Sequence, residues 1–166
     1  IGPNSVLEAG TGYGRVLRSV KRLNPSLSKL RGTDISPSQI YTAILLDDIL
    51  FNDDVEKTYL NAPNWDLPFE DREFDLVYSY GSLMELREKD IEPALAEMFR
   101  ASSKHVVLSE CCSAAYAETN PNVTAHDYQT IASRLGYAPI HNFDDDFERP
   151  ELGYQIILFD VTEHVK

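Results

Sequence analysis

Three glycines between the first apolar run and the first helical pattern constrain the fold of this chain more than any other feature. Ser5–Ala9 has the length and composition of a β-strand, and residues 10–14 contain the three glycines. Glycine adopts the left-handed backbone conformations that a chain needs to turn tightly from a strand into a helix. Residues 16–23 follow with apolar side chains at helical spacing, and Pro25 ends that pattern. The segment predicts a strand–turn–helix unit that opens an α/β domain.

The rest of the chain alternates between strand-length apolar runs and helical patterns, which predicts a mainly parallel sheet. The last two strands are joined by an acidic segment too short for a helical crossover, so we expect an antiparallel hairpin at the sheet edge. Thr124 and Asp127 resemble a capping box before the last helix, and Gly136 follows its final turn. The later strands are predicted at residues 30–34, 55–61, 74–80, 105–110, 137–143 and 154–161, and the other helices after Ser36 and after Asp90.

Length and charge exclude several classes of protein. The 166 residues fit one domain, and a net charge of −12 leaves no clustered basic face for nucleic acid. No apolar run has the length of a membrane-spanning helix, so no membrane partner is expected. Cys111 and Cys112 are adjacent and cannot easily pair with each other, which favours a reduced, cytoplasmic setting. The oligomeric state stays open.

The glycine turn has the features of a site for a nucleotide-type cofactor. Glycines let a ligand approach the main chain closely, and the N–H groups at the helix start face that ligand. Asp34 stands 24 residues after Gly10, at the end of the second predicted strand, where a carboxylate can accept both hydroxyls of a ribose. The dinucleotide fingerprint needs a small residue five positions after its first glycine, but this chain has Arg15 there and its third glycine at Gly14. The dinucleotide fingerprint is therefore incomplete, and an NAD-dependent oxidoreductase is kept only as an alternative hypothesis.

The spacing E-x-G-x-G-x-G over residues 8–14 resembles the first motif of class I S-adenosylmethionine-dependent methyltransferases. The runs LPF at residues 67–69 and FDLV at residues 74–77 are similar to the stretch by which that family enters its fourth strand. The resemblance extends over nearly the full chain. It implies a Rossmann-like, doubly wound α/β fold whose seven-stranded sheet has the order 3-2-1-4-5-7-6 with strand 7 antiparallel.

The resemblance also implies which residues bind the cofactor, S-adenosyl-L-methionine. The first motif would hold its methionine half, Asp34 its ribose, and Ile35 together with residues 61–62 its adenine. Ser79, near the end of the fourth strand, is assigned to the same site, and no metal is expected. The predicted cofactor-binding residues are Glu8, Gly10, Gly12, Gly14, Asp34, Ile35, Asn61, Ala62 and Ser79.

The chain departs from the family's pattern at three places. Asn61 stands where relatives often have an aspartate against adenine, which predicts weaker adenine binding. Glu85 stands where many relatives carry a histidine near the acceptor, and it is the candidate catalytic residue, as a general base if partly buried or as a site for an ammonium group. A solvated residue before the next helix is the alternative reading of Glu85. The family's N-terminal helices have no counterpart before the first strand, so we expect residues 1–166 to form a single methyltransferase domain without an N-terminal helical cap.

These features predict a methyltransferase that modifies oxygen or nitrogen of a small-molecule acceptor, such as a sugar or an amine. The run SYGS at residues 79–82 differs from the N-P-P-Y motif typical of enzymes that methylate nucleobase or glutamine amino groups. A non-catalytic S-adenosylmethionine-binding module is a further alternative. His105, His126 and His141 are expected outside the site, with His126 at the surface. The acidic run at residues 144–148 is expected to be a solvated connection, because metal ligands need convergent geometry.

Overall fold

The structure is a computed structural model that describes residues 2–50, 56–144 and 153–162. Within these ranges, no helix is long and apolar enough to cross a membrane. The strands are β1 (Ser5–Ala9), β2 (Lys29–Asp34), β3 (Glu56–Asn61), β4 (Phe74–Tyr80), β5 (Ser102–Cys111), β6 (Pro139–Asp144) and β7 (Tyr154–Asp160). The helices are α1 (Arg15–Leu23), α2 (Pro37–Leu50), α3 (Glu88–Ala101), α4 (Ala114–Thr119) and α5 (Tyr128–Arg134), and a 3₁₀ turn covers Leu83–Glu85.

The seven strands form one sheet in the order β3-β2-β1-β4-β5-β7-β6. β1 pairs in parallel with β2 and with β4, whereas β7 is antiparallel to both β5 and β6. The predicted strand order, the parallel centre and the antiparallel seventh strand are confirmed. The direction of winding reverses between β1 and β4, because β2 and β3 lie on one side of β1 and β4 and β5 lie on the other. Open α/β sheets bind their ligands at such a reversal.

Two apolar cores cover the sheet, and neighbouring residues of one strand belong to different cores. In β1, Leu7 and Ala9 are buried in the larger core and Val6 in the smaller one. This division follows from the two-residue period of a strand. α3 and α5 contribute to the larger core, and α1 and α2 to the smaller one. Because both faces are covered, the central strands consist largely of consecutive apolar residues.

Most predicted elements are present, with ends that differ by a few residues. β1 and β4 begin and end at the predicted residues, whereas the other strands shift by one to three residues at an end. α4 was not predicted, because this short helix has no buried residue and therefore no apolar period. The predicted acidic connection before β7 falls at residues 145–152, outside the described residues.

The predicted N-cap of α3 is wrong. The helix begins at Glu88 after Arg87, so Asp90 lies inside its first turn. The backbone N–H of Asp90 donates to the Arg87 carbonyl at 2.9 Å. An acidic side chain in the first turn is favoured by the helix dipole without acting as a cap, which is why the predicted cap lies three residues after the observed one.

The start of α5 also differs from the predicted capping box. Asp127 alone is the N-cap, and its carboxylate accepts a hydrogen bond from the Thr130 backbone N–H at 3.0 Å. Thr124 lies before the helix, where its backbone N–H donates to the Met84 carbonyl at 2.7 Å. Gly136 follows the last turn with a φ of +88°, as its predicted role requires.

The corrected cap predicts which of two substitutions destabilises the protein. Asp127→Ala should lower the free energy of unfolding by about 1 kcal/mol, because the first turn loses its side-chain acceptor. For a chain of this size, that loss corresponds to a fall of roughly 2–4 °C in melting temperature. Thr124→Ala is the matched control and should cost less than about 0.5 kcal/mol. Equal destabilisation of the two variants in urea unfolding would contradict the assignment.

Candidate functional site

A groove crosses the carboxyl ends of β1, β2 and β4, where the direction of winding reverses. It consists of two adjoining cavities, a larger one of about 470 Å³ and a smaller one of about 370 Å³. Both are lined by Gly10, Asp34, Ile35, Ser82 and Glu85. They therefore form one continuous groove that brings together residues from the glycine turn, from β2 and from the turn after β4.

The two cavities differ in the side chains that complete them. The larger cavity is also lined by the apolar side chains of Trp65 and Leu86. The smaller cavity is also lined by Tyr13, Arg15 and Tyr80. Arg15 was predicted only as the residue that breaks the dinucleotide fingerprint, and not as part of the site. Its guanidinium carbon lies 5.6 Å from the centroid of the Tyr80 ring, a contact between residues 65 apart in the sequence that no local pattern shows.

Two glycines of the turn have different structural reasons to be glycine. At Gly10, with a φ of +78°, an added Cβ would lie 1.8 Å from the Ser82 Oγ, so the turns after β1 and β4 could not meet. At Gly12, with a φ of +54°, an added Cβ would meet nothing within 4 Å. The Gly12 main chain therefore faces open space beside the groove, and a ligand can approach it closely. This space fits the predicted methionine half of the cofactor.

Asp34 joins the glycine turn to the end of β2. Its Oδ2 accepts a hydrogen bond from the Gly12 N–H at 2.8 Å, and its Oδ1 accepts one from the Ser36 N–H at 2.8 Å. A carboxylate has about four acceptor positions, so two remain for the hydroxyls of a ribose. The adjacent Ile35 is 61% exposed and offers an apolar surface to the groove. A carboxylate acceptor beside an apolar surface fits the ribose and the adenine of the predicted cofactor.

Glu8 supports the glycine turn from beneath. Only 2% of the residue is exposed, and its Oε2 accepts hydrogen bonds from the Thr11 hydroxyl at 2.5 Å and from the Leu17 N–H at 3.1 Å. Burial raises the pKa of Glu8 to about 7, although these hydrogen bonds oppose the shift. Through these two hydrogen bonds Glu8 joins the glycine turn to α1.

Asn61 is fixed by the backbone of the neighbouring strand. Its amide nitrogen donates to the carbonyl oxygens of Asp34 and Ile35, both at 2.9 Å. An aspartate at this position would bring a negatively charged oxygen against two carbonyl oxygens. The amide avoids this repulsion because its NH₂ group donates to both carbonyls. The Asn61 Oδ1 keeps acceptor capacity for a ligand amino group. Ala62 is buried, and its N–H donates to the Asp34 carbonyl at 3.1 Å.

Glu110 anchors the turn after β4, a role that the sequence analysis did not predict. This fully buried carboxylate accepts hydrogen bonds from the Ser79 hydroxyl at 2.6 Å and from the N–H groups of Ser82 and Met84, both at 3.2 Å. Burial raises the pKa of Glu110 to about 7. Ser79 is also fully buried, so its hydroxyl contacts Glu110 and not the groove. In the sequence, only the position of Glu110 near the carboxyl end of the fifth predicted strand indicates that it lies on the ligand-binding side of the sheet.

Glu85 lies at the end of the Leu83–Glu85 turn and lines both cavities. The residue is exposed, so burial does not supply the condition under which it was expected to act as a general base. Its backbone N–H donates to the Ser82 carbonyl at 3.1 Å, which fixes it to the turn anchored by Glu110. The backbone of Glu85 is therefore fixed, and its exposed side chain lines both cavities.

None of the three histidines that the structure describes lines the groove, but His126 is not at the surface as predicted. It is buried, and its Nε2 is 3.0 Å from the Leu86 carbonyl oxygen. Burial lowers its pKa. Leu86 is 40 residues away in sequence, so no local pattern could show that the two segments pack together. His105 lies inside β5, and His141 is an exposed residue of β6.

The comparison with known families assigns this chain to a family. A family model described as a methyltransferase domain matches residues 6–105, from β1 into β5. The chain therefore belongs to the class I S-adenosylmethionine-dependent methyltransferases, and S-adenosylmethionine is its cofactor. The predicted family and cofactor are confirmed. No curated protein sequence matches the chain at a significant level.

Proteins of known structure that share this fold have names that describe different reactions. Magnesium protoporphyrin IX methyltransferase from Synechocystis PCC 6803, with bound S-adenosylmethionine, is 15% identical with a TM-score of 0.71, and the match covers 93% of this chain and 68% of that one. Geranyl diphosphate C-methyltransferase from Streptomyces coelicolor A3(2), with S-adenosyl-L-homocysteine, is 17% identical with a TM-score of 0.76, covering 95% and 70%. The [4+2]-cyclase SpnF is 16% identical with a TM-score of 0.78, covering 96% and 74%. At these identities the likeness shows the fold and leaves the acceptor open.

The buried Glu110 predicts a pH dependence of stability with a defined sign. Because its pKa is raised from 4.5 to about 7, the folded protein binds more protons than the unfolded chain between these values. The Glu110 contribution to stability is therefore present below pH 4.5 and is lost as the pH rises through 7. Glu110→Gln should remove this titration. Between pH 4.5 and about 7, the free energy of unfolding of wild type should therefore fall relative to that of the variant by on the order of 3 kcal/mol.

Urea unfolding at a series of pH values measures this difference. Glu97→Gln is the control, because a hydrogen bond from Arg100 lowers the pKa of Glu97 and its contribution is lost only below the usual carboxylate range. The difference between wild type and Glu97→Gln should therefore stay flat between pH 5 and 7.5. Parallel curves for wild type and Glu110→Gln across this range would contradict the assignment of Glu110.

Proposed function

We propose that this chain transfers the methyl group of S-adenosylmethionine to an oxygen or nitrogen atom of a small-molecule acceptor, such as a sugar or an amine. One observation carries the proposal: a single groove joins the glycine turn, the Asp34 carboxylate and the Glu85 carboxylate at the carboxyl ends of three parallel strands. This arrangement combines a surface for a nucleoside with an open polar mouth where a second substrate can enter.

Residues in the groove, together with Asn61 beside it, would hold the cofactor. Gly10 and Gly12 would lie against its methionine half, Asp34 would accept its ribose hydroxyls, and Ile35 with Asn61 would contact its adenine. Glu8 and Ser79 would act from below, through the turn and through Glu110. When bound, the cofactor supplies an electrophilic methyl group on a sulfonium sulfur. The protein's own contribution is to position the acceptor in line with that group and to exclude water from it.

Glu85 is the residue that we propose to contact the acceptor. It lies between the two cavities, and its turn is fixed by the buried Glu110. An exposed carboxylate can attract an ammonium group or accept a hydrogen bond from a hydroxyl. The net charge of −12 disfavours polyanionic acceptors such as nucleic acid, because the surface would repel them. A small neutral or cationic acceptor fits both features.

The proposed cofactor site predicts a thermal shift that depends on Asp34. S-Adenosylhomocysteine at about 100 times its dissociation constant should stabilise the fold by about 2.7 kcal/mol, a rise of roughly 5–10 °C in melting temperature. Asp34→Ala should lose most of that rise, measured against its own ligand-free melting temperature, because the ribose acceptor is gone. Asp48→Ala removes an exposed carboxylate of α2 and should keep the full rise.

The same assay separates the alternatives. A shift with NAD and none with S-adenosylhomocysteine would favour an oxidoreductase and overturn the proposal. A full shift with S-adenosylhomocysteine, without methyl transfer to any amine, sugar or other acceptor, would favour a non-catalytic binding module. Preferential transfer of labelled methyl to an oligonucleotide would reject the small-molecule acceptor.

The proposed role of Glu85 predicts a loss of turnover without a loss of cofactor affinity. Glu85→Gln should lower kcat/KM for the best small acceptor at least tenfold, ~1.4 kcal/mol of barrier, because the carboxylate that contacts the acceptor is neutralised. The dissociation constant of S-adenosylhomocysteine should change less than about twofold. Glu88→Gln, an exposed carboxylate in the first turn of α3, is the matched control and should keep full activity. Equal loss of cofactor affinity in Glu85→Gln would make Glu85 a structural residue.

A further inference from the structure

The solvent-facing side of α2 is apolar. Tyr41 is 64% exposed, Ile44 42%, Leu45 41% and Ile49 75%, so four of the ten exposed large apolar side chains among the described residues lie on this one helix. Single exposed apolar residues are ordinary on protein surfaces, but a contiguous apolar patch marks an interaction site. We call these four side chains the α2 patch.

The period of the helix brings the four side chains together. Tyr41, Leu45 and Ile49 follow each other at intervals of four residues and form one ridge along the helix, and Ile44 lies beside that ridge. The residues of α2 that belong to the smaller core lie on another side of the helix. The α2 patch is therefore a continuous apolar strip that is left uncovered by the part of the chain that the structure describes.

The α2 patch lies at one edge of the sheet and faces away from the groove. α2 packs over β2 and β3, and β3 is the edge strand. The residue of α2 that lines the groove is Gln39, which lies two positions before Tyr41 and therefore on nearly the opposite side of the helix. A molecule bound to the α2 patch would leave the groove open.

The charges of α2 argue against a membrane as the occupant of the patch. The helix contains no lysine or arginine, and of its two acids Asp47 is buried beside Arg18 while Asp48 is exposed within the patch. Helices that lie on a membrane carry Lys and Arg on their polar face. A chain with a net charge of −12 is also repelled by anionic lipids. The patch therefore fits an apolar protein surface.

A second copy of this chain offers the complementary surface. The ridge of Tyr41, Leu45 and Ile49 runs beside the row of Ile44 and Asp48, and the furrow between the two rows can receive the same ridge of another α2. Packing of such i±4n ridges is the commonest arrangement of two helices. A two-fold axis at Leu45 makes the same contact twice and closes the assembly at two chains. The two Asp48 carboxylates would then lie roughly 9 Å apart along the helices and would not face each other.

We propose that the α2 patch is the interface through which two copies of this chain form a reversible dimer. Pairing two patches would bury roughly 800 Å² of side-chain surface in total, to which the neighbouring side chains add. Specific interfaces begin near about 1,200 Å², so this contact is small. The dimer should therefore be weak, with a dissociation constant in the micromolar range.

Sedimentation velocity at protein concentrations from ~1 to ~200 μM tests the proposal. Wild type should pass from monomer to dimer across this range. Ile49→Lys and Leu45→Lys should each raise the dissociation constant at least tenfold, because each places a charge in the apolar contact. Ile140→Lys replaces an exposed apolar residue of β6, at the opposite edge of the sheet, and should dimerise like wild type. Added salt should tighten the dimer, since it screens the repulsion between two chains that each carry a charge of −12.

A cross-link tests the position of the two-fold axis. Leu45→Cys places one thiol of each copy at the axis, so a short bismaleimide should join the two chains. Gln39→Cys lies on the groove side of the same helix and should give no more covalent dimer than wild type. All three proteins keep Cys111 and Cys112, so any cross-linking through these native thiols is common to them.

Each possible result decides for or against the α2 interface. Weaker dimerisation of the two α2 variants with an unchanged Ile140→Lys supports it, and circular dichroism checks that each variant is folded. Because Ile49 is the most exposed residue of the patch, Ile49→Lys keeps the test valid if Leu45→Lys does not fold. A dimer that Ile49→Lys leaves intact, or an equal loss in Ile140→Lys, overturns the proposal.

A wild type that stays monomeric at every concentration also overturns the proposal. Co-sedimentation of that monomer with vesicles of phosphatidylcholine and phosphatidylserine, lost in Ile49→Lys, would then assign the patch to a membrane. A monomer that does not bind these vesicles would assign the patch to a different protein.

Discussion

At Gly10 the turn after β1 comes so close to the turn after β4 that one added carbon would lie 1.8 Å from the Ser82 hydroxyl oxygen. This contact closes the floor of the groove at the reversal between β1 and β4. The side chain of Asn64 donates to the same hydroxyl at 3.1 Å, so the segment after β3 is joined to the two turns. The position of Glu85 and the shape of both cavities depend on this approach, because Ser82 and Glu85 belong to one short turn.

Two buried carboxylates hold these turns from beneath. Glu8 accepts hydrogen bonds from the β1 turn and from α1, and Glu110 accepts three from β4 and the turn that follows it. Burying a carboxylate is costly, and in both cases burial raises the pKa to about 7. Hydrogen bonds from main-chain N–H groups offset part of that cost, and the same hydrogen bonds fix the backbone of the two turns. The two turns beside the proposed cofactor site are therefore each held by a buried carboxylate.

The fold explains cofactor binding better than it explains the acceptor. Structures with TM-scores between 0.71 and 0.78 include two methyltransferases with unrelated acceptors and a cyclase. What they share with this chain is the sheet and its reversal, and function on such a fold is decided by the side chains placed there. In this chain the side chains placed at or beside the reversal include Glu85, Arg15 over the Tyr80 ring, and the amide of Asn61.

The sequence by itself determined the strands, most of the helices and the glycine turn, because these depend on local periods and on backbone conformations that glycine permits. Through the family motifs it also determined the strand order, the cofactor and the place of Asp34. The tertiary structure alone decided that Glu110 binds the turn after β4, that His126 is buried against Leu86, and that Arg15 lies over Tyr80. In each of these pairs the partners are 26 to 65 residues apart, so their contact depends on how whole elements pack, and no local pattern encodes it.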